Sequence, residues 1–204
     1  MTSSGEEVMQ LLAIKDPTLS TICKRAASNV AKRLSALLNR NVKYTFTGIS
    51  IIPLENLYNA VDGGDVYVNF VSTLEGAIKG LVLLLIPYGS MTEIMKHLLE
   101  GLCPNSNDRE IKLSLVQELG NIIIGGFISE IANYMNSTIF YSIPSPIIDL
   151  PRAFLDAVIS LLAPLDFVIM INATIEDYTS SLQVHIVLLP GDGSAIPQTG
   201  ESLQ

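Results

Sequence analysis

The sequence has no tryptophan, only two histidines and two cysteines, and a shortage of positive charge. Cys23 and Cys103 stand far apart with no CxxC spacing, and His97 and His185 are isolated in apolar stretches. A structural zinc site needs about four such ligands in paired spacing, so none is expected. A hydrolase built on a Ser-His-Asp relay is equally unsupported, and both histidines read as surface or satisfied structural residues. Neither GxxxxGK[ST] nor GxGxxG occurs, which leaves nucleotide binding without a motif. Twelve basic residues against 20 acidic ones give a net charge of −8. Phosphate affinity rests on Lys and Arg, so this balance argues against a nucleic-acid partner. Long apolar runs are also missing. Leu81 to Ile86 is the longest, and Phe154 to Ile175 is interrupted by Asp156, Pro164 and Asp166. A membrane span needs about 20 residues, so none is expected. The first residues, Met1 to Glu7, lack a basic region followed by an apolar one, so no secretory signal is read and the cytoplasm is the expected compartment.

What is present is a core. Of 204 residues, 49% are apolar and 16% charged, which suits a folded domain and not a disordered chain. Residues 1–17 read as a leader with a short helix near Val8 to Ile14. Leu19, Ile22, Cys23, Ala26, Val30, Leu34, Leu37 and Leu38 then fall at helical steps, with Lys24, Arg25, Lys32 and Arg33 on the other side, up to Asn39-Arg40-Asn41. Val42 to Ile52 reads as a strand and 54–61 as a helical turn. After the turn signal Asp62-Gly63-Gly64-Asp65, Val66 to Ser72 and Ile78 to Ile86 read as a hairpin across Thr73 to Gly76. Ser90 is placed as the cap of a helix over 91–101, and 104–108 as a linker. The second half repeats this order: a helix over 109–136, a strand Ile139 to Ile148, a helix Pro151 to Leu162, and a hairpin Phe167 to Glu176 and Ser180 to Leu189 around Asp177-Tyr178. The polar tail 191–204 is expected to be disordered.

At an offset of 97 residues Leu34 matches Ile131, Leu38 matches Met135, Asn39 matches Asn136, Val42 matches Ile139 and Tyr44 matches Tyr141. The sequence therefore predicts one domain over 18–190, made of two copies over about 18–103 and 109–190. The expected class is α+β, with an antiparallel sheet of about six strands and two long helices covering an apolar face, related by a pseudo-two-fold axis.

The second long helix carries an unusual stripe. Ser114, Glu118, Asn121, Gly125, Ser129, Ala132 and Asn136 recur at steps of three and four, so they share one face. Two adjacent glycines, Gly125 and Gly126, cost about 1 kcal/mol each in a helix, so something is expected to approach the backbone there. Glu118 and Asn121 lie one turn apart. A carboxamide can hold a water beside an anionic phosphoryl group, where positioning matters more than a general base. A carboxylate there suits pairing with a cation on the substrate. The same stripe also suits a plain helix–helix contact.

These residues resemble the CheC/CheX/FliY phosphatases of chemotaxis. The family signature is Asp or Ser, three residues, Glu, two residues, Asn, twenty-two residues, Pro; Ser114, Glu118, Asn121 and Pro144 fit every spacing. Glu118-Leu119-Gly120-Asn121-Ile122 is similar to the family's E-I-G-N-I, and Asn29 to Leu38 with Ile51 to Glu55 resembles its first half. The resemblance implies hydrolysis of the aspartyl phosphate of a CheY-type response regulator. In it Asn121 orients water, Glu118 pairs with a regulator lysine, and Ser114 and Pro144 support them. It also implies that the Mg2+ is carried by the regulator and that this chain needs no cofactor of its own. The matching positions of the first half are Pro17, Thr21, Lys24 and Thr47, so that site is expected to be inactive, although its basic face could hold an acidic partner. A non-catalytic adaptor for CheY, for the deamidase CheD, or for the flagellar switch is the alternative that the resemblance leaves open.

Overall fold

The computed structural model describes residues 17–61, 64–102, 109–160, 166–176 and 181–191. The leader with its short helix, the linker 104–108, the Asp177-Tyr178 turn and the tail beyond Gly191 lie outside the described residues, as does the side chain of Pro17.

Helix α1 (Pro17–Leu38) buries Ile22, Cys23, Ala26, Val30 and Leu34 and exposes Lys24, Arg25, Lys32 and Arg33. Strand β1 (Lys43–Pro53) and the two-turn helix α2 (Leu54–Val61) follow. β2 (Tyr67–Gly76), β3 (Gly80–Pro87) and α3 (Tyr88–Leu102) complete the first half. The second half comprises α4 (Arg109–Met135), β4 (Ile139–Tyr141), β5 (Ser145–Asp149), α5 (Pro151–Ile159), β6 (Phe167–Glu176) and β7 (Ser181–Pro190). α1 and α4 end alike. Asn39 (φ 50°) and Asn136 (φ 47°) take the left-handed conformation that asparagine tolerates. The next amides, of Arg40 and Ser137, reach back to the carbonyls of Ser35 and Ala132, each at 3.1 Å.

All strands pair antiparallel in the order β1-β6-β7-β3-β2, with β4 and β5 both on the outer side of β2. Exchanging β1, β2 and β3 for β4/β5, β6 and β7 gives the same order read backwards, so a pseudo-two-fold axis passes between β7 and β3. The class is α+β. Both faces of the sheet are covered, where the sequence suggested one. Val82, Leu84 and Ile86 point into a core shared with α1, α3 and α4, while Leu81, Leu83 and Leu85 point into a second core under α2 and α5. Burial on both faces explains the unbroken apolar run of β3.

Three expectations need correction. Strand Ile139 to Ile148 is split at Ser142-Ile143-Pro144. Pro144 has no N–H to give the ladder, and Ser142 turns inward: its N–H donates to the Thr73 carbonyl at 3.1 Å and its hydroxyl accepts from the Thr73 N–H at 3.0 Å. The first hairpin turns at Ala77 to Lys79, because Leu74, Glu75 and Gly76 remain in the sheet to pair with β4. Ser90 lies within α3, which already begins at Tyr88.

One described helix, α4, is long and apolar enough to cross a membrane by length and composition; half of its apolar stretch is buried inside the fold. His185 has the structural role read from the sequence. Its Nδ1 lies 2.7 Å from Oδ1 of Asn172, its cross-strand partner, and burial holds its pKa below the ordinary 6.5. The unfolded chain therefore binds a proton more readily, and stability is expected to fall as pH drops from about 6.5 toward the lowered native value. His185→Gln should flatten that slope in urea midpoints measured between about pH 7 and 5. Parallel declines in both proteins would assign the slope to other groups.

Candidate functional site

The polar stripe of α4 divides on folding. Ser114 and Glu118 are exposed, Asn121 is half-buried, and Gly125 is buried. What approaches the two glycines comes from the protein itself. A Cβ on Gly125 would stand 2.4 Å from the hydroxyl oxygen of Tyr141, and one on Gly126 would stand 2.4 Å from Cγ2 of Val30. Gly126 thus lets α1 cross α4, beside a hydrogen bond of 2.5 Å from Nδ2 of Asn29 to Oε1 of Glu130. Gly125 instead admits the Tyr141 ring from β4, and its hydroxyl donates to Oδ1 of Asn121 at 3.1 Å.

Pro144 is buried at the split between β4 and β5, on the strand pair that packs beside α4. The signature residues thus lie on neighbouring elements. Ser114, Glu118 and Asn121 come from the helix, with Tyr141 and Pro144 from the sheet edge. Next to the proline Ile143 is 76% exposed, and Ile148 on β5 is 62% exposed, so an apolar rim adjoins the polar stripe. Buried Asn69 holds this edge in place, its Nδ2 donating to the carbonyls of Ile147 and Asp149 at 3.3 and 3.2 Å. Tyr141 figured in the sequence only as a repeat of Tyr44; the glycine one helical turn beyond Asn121 was the available sign of a ring lying against the helix.

The first half presents a different surface. Thr21 and Lys24 are exposed on α1, and Thr47 falls at a register shift of β1 between Phe46 and Gly48. Tyr44 packs on Phe127 with ring centroids 6.0 Å apart, but its buried hydroxyl has no hydrogen-bond partner among the described residues. Burial raises its pKa well above 10. An unpaired buried hydroxyl costs about 1–3 kcal/mol, so Tyr44→Phe is expected to leave the melting temperature unchanged or raise it. A clear fall would mean that the hydroxyl is satisfied in solution. Burial also pushes the Cys23 thiol up to about 11, which keeps it protonated and unreactive.

Among the described residues no three His, Cys, Asp or Glu side chains gather as a metal site. The open hollow lined by Pro53, Tyr58, Asp166 and Phe167 holds none of the signature residues.

The fold is similar to those of solved FliY, FliM and CheX structures. Residues 68–153 match the family model described as chemotaxis phosphatase CheX. The chain is 21% identical over 171 residues to the CheY-P phosphatase CheC of Bacillus subtilis, covering 80% of this chain and 82% of that one. Its fold is similar to that of Thermotoga maritima FliY, at a TM-score of 0.66 and 19% identity, covering 86% of this chain and 91% of that chain. The FliM middle domain of H. pylori has a TM-score of 0.63 at 14% identity, covering 82% of this chain and 87% of that one. The chain is thus similar to chemotaxis phosphatases of the CheC and CheX kind in sequence and to FliY in fold.

Proposed function

We propose that the chain is a phosphatase for the aspartyl phosphate of a CheY-type response regulator, working through one site on α4. The observation that carries this reading is the pair Glu118 and Asn121, one turn apart at the signature spacing, with the carboxylate exposed and the carboxamide half-buried beside it. Asn121 would hold the attacking water in line with phosphorus. The water oxygen bonds to phosphorus as the acyl P–O bond breaks; the aspartate carboxylate returns to the regulator, and phosphate leaves with the water's proton given up to solvent. Glu118 would pair with a cation of the regulator, and the Mg2+ that neutralises the phosphoryl oxygens would belong to the regulator as well. The B. subtilis relative is named for this reaction. The test is phosphate release from CheY supplied with Mg2+ and a small phosphodonor. Release no faster with this protein than without it would overturn the reading.

The likeness to FliM, together with the uncovered rim at Ile143 and Ile148, favours a second reading: an adaptor that binds CheY, CheD or the switch without turnover. Glu118→Lys is expected to weaken the regulator at least about tenfold, or roughly 1.4 kcal/mol, and Glu118→Ala less, since reversal opposes like charges. Titration with a phosphoryl mimic bound to the regulator measures both. Unchanged dissociation constants would remove Glu118 from the interface.

A further inference from the structure

We infer that Tyr141 is a positioning residue for Asn121, fixing which atoms of its carboxamide are free to meet a bound group; this rests on the phosphatase reading of the same site. An amide has two ends of different chemistry, an oxygen that accepts and a nitrogen that donates two hydrogens. A phenol hydroxyl aimed at Oδ1 settles which is which. The Tyr141 hydroxyl donates to Oδ1 at 3.1 Å, which leaves Nδ2 with both its hydrogens and Oδ1 with one lone pair for a bound group. A water that donates to that lone pair, and a phosphoryl oxygen that accepts from Nδ2, then meet partners already in place, without the entropy of first ordering the side chain.

Three features support a device built for this. The ring reaches Asn121 only across the flank of Gly125, where any side chain would collide with the hydroxyl. Tyr141 is fixed at the end of its short strand: it pairs with Leu74 of β2, and the adjoining Ser142 is bonded to Thr73. The corresponding tyrosine of the first half, Tyr44, keeps the ring, but the position that matches Asn121 there is Lys24, which is exposed. Its buried hydroxyl has no partner among the described residues. The hydroxyl is engaged only in the half that carries the asparagine.

Tyr141→Phe removes one oxygen and keeps the ring. Turnover by this variant at saturating phosphorylated CheY is expected to fall three- to tenfold, with KM unchanged. In the Asn121→Ala background the same change should have no further effect, because Tyr141 acts through Asn121. Gly125→Ala should lower turnover in the same way while leaving the hydroxyl chemically present. A purely structural tyrosine would lower the melting temperature and leave turnover per folded molecule intact. If the wild type turns over and Tyr141→Phe matches it, or if the losses add in the double variant, the inference is wrong. If the wild type does not turn over at all, the phosphatase reading fails, and side-chain amide NMR decides this inference alone. The Asn121 NH2 group should be more ordered than that of exposed Asn59 in the wild type and equally mobile in Tyr141→Phe; equal order in both proteins would overturn it.

Discussion

Asn121→Ala is expected to bring phosphate release down to the regulator's own rate, a loss of roughly 10²–10³-fold, the range found when one positioned polar group is removed from a reacting centre. The effect is large because nothing nearby can replace the carboxamide. Glu118 is an anion facing an anionic phosphoryl group, Ser114 lies two turns away on the helix, and the Tyr141 hydroxyl is committed to Asn121. The fold should survive, because Asn121 is only half-buried and its one hydrogen bond is worth about 0.5–1.5 kcal/mol. Initial rates of phosphate release and thermal melts of the same samples check both halves of this expectation. A variant that retains wild-type turnover would take Asn121 out of the chemistry.

Phe70→Ala is expected to cost about 3–5 kcal/mol, a large share of the 5–15 kcal/mol that holds a typical domain together. Phe70 is fully buried on β2, and its ring carbons would stand 2.6 and 2.7 Å from a Cβ placed on Gly120. The helix backbone therefore rests directly on the ring, in the turn that carries Glu118 and Asn121. Truncation opens a cavity under that turn which the surrounding sheet, paired on both sides of β2, is poorly able to collapse into. Phe140→Ala provides the contrast: its ring is 64% exposed, and the change should stay within about 0.5 kcal/mol. Urea unfolding of the two variants compares them; equal losses would mean that ring burial is not what seats α4.

Much of this architecture was legible in the residues. Both long helices stop at an asparagine because Asn39 and Asn136 accept the left-handed turn that ends a helix, and the strands β3, β6 and β7 announce themselves as apolar runs. The split of β4 from β5 was hidden, because Ile139 to Ile148 keeps its apolar character across Pro144 while the inward bend depends on Ser72 and Thr73, some seventy residues earlier. The second core was hidden as well. Short segments such as Leu54–Val61 and Pro151–Ile159 show that they are amphipathic but not which face of a distant sheet they cover. In the candidate site, the spacing of Ser114, Glu118, Asn121 and Pro144 was visible, and the two glycines marked a close approach to the backbone without saying by what. They are room for Tyr141 and Val30, which only the folded chain brings there.

The central claim, one working site on α4 and none on α1, is tested most directly by initial rates of phosphate release from phosphorylated CheY with three proteins side by side. Wild type and Lys24→Ala are expected to accelerate release equally, since an exposed ammonium cannot accept a hydrogen bond from an attacking water, while Asn121→Ala leaves only the regulator's own rate. A wild type no faster than the regulator alone, or a Lys24→Ala loss as deep as that of Asn121→Ala, would contradict it.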